Sequence, residues 1–167
     1  LRPWQWYKQL VLFVAVLFSG NATDSDAWLR VTTGAVLFSA VAGATYILND
    51  VSDVGEDRNH PTKRHRPIAS GQVSVPTGLG VGSALYALAG ALSWQLNPLF
   101  FWLVALYIGQ NAAYSYVLKD IMFVDLFSIS AGFVIRAIAG VALVGAPLSP
   151  WLLLCTFLAA LMLAVSK

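Results

Sequence analysis

Residues 27–58 read AWLRVTTGAVLFSAVAGATYILNDVSDVGEDR. From Ala27 to Leu48 the run carries one charge, Arg30. It is long enough for a membrane-spanning helix, which needs ~20 apolar residues. Its far end leads directly into Asn49, Asp50, Asp53, Glu56 and Asp57. An apolar span that delivers carboxylates to its tip predicts an all-α membrane protein with its chemistry at the membrane surface.

The rest of the chain agrees. Of its 167 residues 58% are hydrophobic and only 11% charged, against ~25% charged in soluble domains. A mean hydropathy of +0.71 leaves too little polar surface to cover a water-soluble globule of this size and excludes a disordered chain. Six apolar runs predict a polytopic helix bundle: about Trp6 to Gly20, Ala27 to Leu48, Val75 to Leu96, Pro98 to Leu118, Ile121 to Val144 and Leu148 to Val165. No linker divides them, so 1–167 reads as a single transmembrane domain. The net charge of +2 is too small to point to nucleic acid. The single Cys155 lies in an apolar run and allows no disulfide framework. Gly78-Leu79-Gly80-Val81-Gly82 follows no strand, so its glycines read as close helix packing rather than a nucleotide loop.

Charge is concentrated. The 26 residues from Asn49 to Ser74 hold eight of the 18 charged side chains. If the N-terminus faces the cytoplasm, Arg2, Lys8, Arg58, Lys63, Arg64, Arg66, Lys119 and Lys167 are all cytoplasmic, as the positive-inside rule requires. Trp28, Trp94, Trp102 and Trp151 then fall near outer ends. The loop 49–74 is predicted to be cytoplasmic, in a multi-pass protein of the cytoplasmic membrane.

Within that loop the acids come first. Asp50, Asp53 and Asp57 are spaced i, i+3, i+7, one face of a helix if the second span continues past Leu48, with Tyr46 a turn earlier. Such stacked charges repel and call for a cation. Oxygen donors alone suit magnesium, which takes one or two carboxylates plus substrate phosphates; the plain alternative is a solvated helix end. His60-Pro61-Thr62-Lys63-Arg64-His65-Arg66-Pro67-Ile68-Ala69-Ser70-Gly71 follows, with three permanent cations in four positions. Guanidinium forks and ammonium groups bind phosphate; a polybasic loop on anionic lipid is the alternative. Acids followed by cations suit a magnesium–diphosphate.

Asn49-Asp50-x-x-Asp53-x-x-x-Asp57, followed by Thr62-Lys63-x-x-Arg66-Pro67-Ile68-Ala69-Ser70-Gly71, resembles the first signature of the UbiA superfamily of intramembrane prenyltransferases. His60-Pro61-Thr62-Lys63-Arg64-x-Arg66-Pro67, Tyr114-Ser115-x-x-Leu118-Lys119 and Gly132-Phe133-x-x-Arg136-Ala137 narrow the resemblance to its phosphoribosyl-transferring branch in actinobacterial cell-wall synthesis. The resemblance implies a nine-helix UbiA-like fold, of which six spans are present here, and a second acidic motif after the sixth. The chain is therefore expected to be the N-terminal two-thirds of a longer enzyme.

The same resemblance implies transfer of phosphoribose from phosphoribosyl pyrophosphate to a polyprenyl (decaprenyl) phosphate, with release of pyrophosphate, for cell-wall arabinan precursors. Asn49, Asp50, Asp53 and Asp57 would hold Mg2+, the three aspartates being the catalytic set. Arg58, Lys63, Arg64, Arg66 and Lys119 would bind phosphate. Tyr46, Tyr114, Asp125 and Arg136 are candidates for substrate contact or structure. Arg136, an ionisable group inside a span, either receives a phosphate or tethers helices. Tyr107, Asn111 and Tyr114 form a polar stripe at i, i+4, i+7. Two alternatives remain: a transferase of polyprenyl diphosphate onto an aromatic acceptor, as in quinone synthesis, and a transporter-like domain. The latter would place its polar residues at the midplane.

Overall fold

The computed structural model describes residues 3–115 and 124–166, the side chains of residues 3–5 and 125 excepted. Among them every regular element is helical. A 3-10 segment, Pro3–Leu12, runs into the short helix α1 (Phe13–Phe18). It is followed by α2 (Ser25–Ser52), α3 (Val54–Asn59), a 3-10 turn Lys63–His65 and α4 (Val75–Leu96). Then come α5 (Pro98–Ala113), α6 (Val124–Val144) and α7 (Pro150–Val165). Helices α2, α4 and the Leu126–Val144 part of α6 are long and apolar enough to cross a membrane. The apolar segments Trp6–Phe18, Pro98–Ala113 and Pro150–Val165 are shorter.

Local chemistry sets the helix starts. Asp24 accepts the Asp26 amide in front of α2 (2.9 Å). Ser74 accepts the Thr77 amide at α4 (3.2 Å), and Asn97 accepts the Phe100 amide at α5 (3.1 Å). Each such cap satisfies an amide that the helix itself leaves unpaired, worth about 1 kcal/mol. Pro76, Pro98 and Pro150 stand in the first turns of α4, α5 and α7, where a missing N–H costs nothing. Two expectations shift. The first apolar run is 3-10 rather than α over Pro3–Leu12. The α-helix of the fourth ends at Ala113, and Leu118 lies outside the described residues.

Helices α2 and α4 run antiparallel and share the most extensive contact. Gly78 and Gly82 face α2 there, as their spacing of four predicts. A Cβ on Gly78 would lie 2.8 Å from Ile68 Cδ1, and one on Gly82 would lie 2.8 Å from Leu48 Cδ2. The Thr45 and Tyr86 hydroxyls meet at 2.9 Å across the same seam. Helix α6 packs between α5 and α7, and the N-terminal segment lies along it in the same direction. Gly140 admits that segment: a Cβ there would collide with the Leu12 carbonyl. Phe38, edge-on to Phe100 and Tyr107 with centroids 5.6 and 5.4 Å away, fills the centre with Leu12, Val41 and Leu143. Leu79, Leu88, Leu92, Leu158 and Met162 point outward, as the lipid-facing side of a bundle requires. The alternating helices put the 49–74 loop at one end of the bundle and Trp28, Trp94, Trp102 and Trp151 at the other.

Candidate active site

The second helix does carry its register past Leu48, to Ser52. It stops at Asp53, whose amide still bonds back to the Asn49 carbonyl while its own backbone (φ −89°, ψ 5°) leaves the helix. Helix α3 restarts at Val54. The break is slight, because the Asp57 amide still donates to the Asp53 carbonyl (2.8 Å), so the helical ladder carries through from Asn49 to Asp57. Asp50 closes α2 and Asp57 sits in α3, while Asp53 is the half-buried joint between them.

Asp50 and Asp57 nevertheless come together, on a cation. One nitrogen of Arg66, Nη1, donates to Asp50 Oδ1 at 2.9 Å and to Asp57 Oδ2 at 2.8 Å. The Asp57 side chain is 1% exposed, that of Asp50 19% and that of Arg66 26%. The acids that repel one another in sequence thus take their compensating charge from the basic stretch that follows them. The intervening turn makes this possible. Ile68 and Ala69 are buried, Ile68 against Gly78 at the start of α4, and Arg58 Nε donates to the Ala69 carbonyl (3.3 Å). Those anchors fold the loop back over the end of α2 and aim Arg66 inward. Lys63, Arg64, His60 and His65 stay exposed on the outside of the loop. The His60 ring nitrogen lies 3.1 Å from the Thr62 hydroxyl and within reach of the amides of Thr62 and Lys63. Both histidines thus take local loop roles.

One turn before the acids, at Tyr46, a half-open polar chamber of about 220 Å³ lies between α2, the N-terminal segment, α5 and α6. Its walls include Lys8, Tyr46, Tyr107, Gln110, Tyr114 and Arg136. Ser115 at the end of α5 donates to Asn49 Oδ1 (3.4 Å), joining the chamber wall to the acidic motif. Arg136, 5% exposed, is fully engaged: Nε to Gln9 Oε1 (2.9 Å), Nη1 to the Gly132 carbonyl (2.8 Å) and Nη2 to the Tyr107 hydroxyl (2.8 Å). Its guanidinium also lies over the Tyr107 and Phe133 rings, 4.7 and 5.4 Å from their centroids. Of the two roles open to Arg136, the tether is the one its bonds describe. Lys119 and the Asp125 side chain lie outside the described residues. Sequence reasoning passed over Gln9 and Gln110. The signal for both was present: an amide in an apolar run needs a partner wherever water is absent.

Among the described residues, no three His, Cys, Asp or Glu side chains gather into a metal cage. Asp50 and Asp57 do converge on a single cationic atom. Two hard carboxylates are what magnesium takes from a protein when substrate phosphates complete its shell. The donor set fits an ion that arrives with a diphosphate.

The sequence profile of the UbiA prenyltransferase family matches residues 10–166. Over the whole chain the protein is 37% identical to the decaprenyl-phosphate phosphoribosyltransferase of Mycolicibacterium smegmatis, covering 54% of that protein. It is 38% identical to the protein of the same name from Mycobacterium tuberculosis, covering 57% of it, again over the whole chain. The corresponding values for Corynebacterium glutamicum are 35% and 52%. The chain spans about half the length of the curated relatives it matches.

Proposed function

The chain belongs to the UbiA prenyltransferase family, and from that premise we propose that it forms the donor-binding part of a phosphoribosyltransferase acting on a polyprenyl phosphate. The family and the apolar helices support the coarser reading, a multi-pass membrane transferase. The names of the relatives support the finer one, and so does the site. One observation carries it: two carboxylates held together by a single arginine, beside exposed Lys63 and Arg64 and in front of a polar chamber.

Asp50 and Asp57, with Asn49 and Asp53 close in the chain, would hold magnesium on the diphosphate of phosphoribosyl pyrophosphate. The metal supplies charge neutralisation of the departing pyrophosphate. The chain's own cations do the rest. Arg66 turns from the carboxylates to the incoming phosphate oxygens, for which a guanidinium fork is suited. Lys63, Arg64 and Arg58 add positive field beside it, where charge accumulates on the leaving group, and Lys119 is a further candidate by the family resemblance alone. The bond from the ribose anomeric carbon to the pyrophosphate oxygen breaks, and an oxygen of the lipid phosphate forms the new bond to that carbon. A lipid phosphate is already anionic, so the step needs no strong base, in keeping with the loop roles of His60 and His65. We place the 49–74 loop and the N-terminus at the cytoplasmic face, on the distribution of basic residues. The polyprenyl tail lies among the helices.

The test supplies the protein with labelled phosphoribosyl pyrophosphate and polyprenyl phosphate. In parallel it receives polyprenyl diphosphate and an aromatic acceptor. Magnesium-dependent pyrophosphate release from the first pair alone is the expected result. Product from the second pair alone would transfer the assignment to an aromatic prenyltransferase, and release from neither would leave a non-catalytic membrane domain.

A further inference from the structure

Arg66 stands where a metal between Asp50 and Asp57 would stand. Its Nη1 lies 2.9 Å from Asp50 Oδ1 and 2.8 Å from Asp57 Oδ2. Magnesium draws carboxylate oxygens to about 2.1 Å. One cation held between these two oxygens leaves room for no other, so Arg66 and a metal exclude each other there. The guanidinium is firmly placed. Asp57 is 1% exposed, and a buried carboxylate stripped of its partner is strongly disfavoured. The Arg66 backbone is tied as well: its amide donates to the Lys63 carbonyl (2.9 Å) and its carbonyl accepts the Ser70 amide (2.8 Å). What can move is the side chain, which at 26% exposure borders solvent.

Each ligand on its own meets a penalty. A metal arriving alone must turn Arg66 out into water, and two charge-assisted hydrogen bonds go with it. A diphosphate arriving alone finds the guanidinium spent on the acids and two carboxylates facing it. Together they exchange partners: Asp50 and Asp57 pass to the metal, and the guanidinium fork passes to phosphate oxygens. We propose that Arg66 is a resident stand-in for the metal, closing the Asp50–Asp57 pair to a divalent cation until a diphosphate is present to accept the guanidinium. Metal and diphosphate affinities are then coupled, and the coupling is reciprocal. This rests on the proposed metal–diphosphate site and adds its regulation. A plain loop pin makes no such link: losing it would loosen the loop and weaken every ligand alike.

Calorimetry on the protein in detergent micelles tests it with two probes: manganese alone, which oxygen ligands take as they take magnesium, and preformed manganese–pyrophosphate. The wild-type protein should bind the complex at least about tenfold more tightly than the bare ion, within the usual range of coupling between sites. Arg66→Gln should bind the bare ion at least about fivefold more tightly than the wild type does, and its preference for the complex should shrink to within about twofold. Adding Asp57→Asn to Arg66→Gln should abolish that gain, because the ion then lacks one of its carboxylates. Bare-ion affinity that is unchanged or weaker in Arg66→Gln, a double variant that keeps the gain, or a wild type without preference overturns the inference. If Arg66→Gln unfolds without metal, manganese alone should restore its melting transition, and failure to do so overturns the inference too. Absence of phosphoribosyl transfer alongside the expected manganese results refutes the functional proposal alone. Transfer with bare-ion binding unaltered in Arg66→Gln refutes only the stand-in.

Discussion

Arg66 reaches back nine residues to Asp57, Nη1 to Oδ2 at 2.8 Å, and holds a carboxylate that is almost wholly removed from solvent. Removing one partner of a buried ion pair costs about 3–5 kcal/mol, because the other charge stays behind uncompensated. Arg66→Met should therefore lower the melting temperature markedly. Arg66→Met combined with Asp57→Asn should recover most of the loss. Thermal melts of the three proteins in the same detergent check it, and a double variant no more stable than the single one would show that the pair is not what holds the loop.

The Arg66 contacts predict an order among the aspartates. Asp50 and Asp57 share Arg66, whereas Arg66 has no bond to Asp53 among the described residues. Asp50→Asn and Asp57→Asn should each reduce magnesium-dependent transfer by about a hundredfold or more, on the scale of losing one preorganised electrostatic group. Asp53→Asn should cost less, and Glu56→Gln, exposed on α3, should stay within about twofold. Initial rates across a magnesium series measure this, and equal losses at all three aspartates would overturn that order.

Two helical glycines should respond oppositely to alanine. A Cβ at Gly140 meets the backbone carbonyl of Leu12, which cannot move aside as a side-chain tip can. Gly140→Ala should destabilise by about 1–3 kcal/mol, the usual cost of overpacking. Gly80 has nothing within 4 Å. Gly80→Ala should be neutral or stabilise by up to about 1 kcal/mol, through reduced backbone entropy in the unfolded chain. Melting curves of the two variants should shift in different directions.

Orientation is testable with single cysteines. With Cys155 replaced by Ser, Arg64→Cys should react with an impermeant maleimide only in inside-out vesicles, and Pro147→Cys only in right-side-out ones. The reverse pattern would invert the proposed topology.

Much of the architecture was legible from hydropathy alone, because a bilayer demands long apolar runs and the charges left over collect in loops. The bounds of α4 and the packing role of Gly78 and Gly82 could be read directly, since small residues at spacing four have few other uses in a span. The acidic set could be read too, though not its shape. Nothing local marks Asp53 as a helix end, because an i, i+3, i+7 spacing looks the same whether or not the backbone turns at the middle residue. The Arg66 contacts depend on Ile68 and Ala69 being buried against α4, a tertiary fact. Arg136 left two roles open for the same reason: Gln9 and Tyr107, which settle it, are brought to it only by packing.

The bond between Arg136 and Gln9 joins residues 127 positions apart. At the usual pace of synthesis, about 5–20 residues per second, roughly 6–25 seconds separate the two residues at the ribosome. Through that interval the Gln9 amide is without its native guanidinium, and the surface that Gly140 later receives has nothing to lie against. The segment Pro3–Leu12 is thus made well before the helix it packs on and is seated only once that helix emerges. A defect at Gly140 or Arg136 would therefore leave α6 in the membrane without the segment that lies along it.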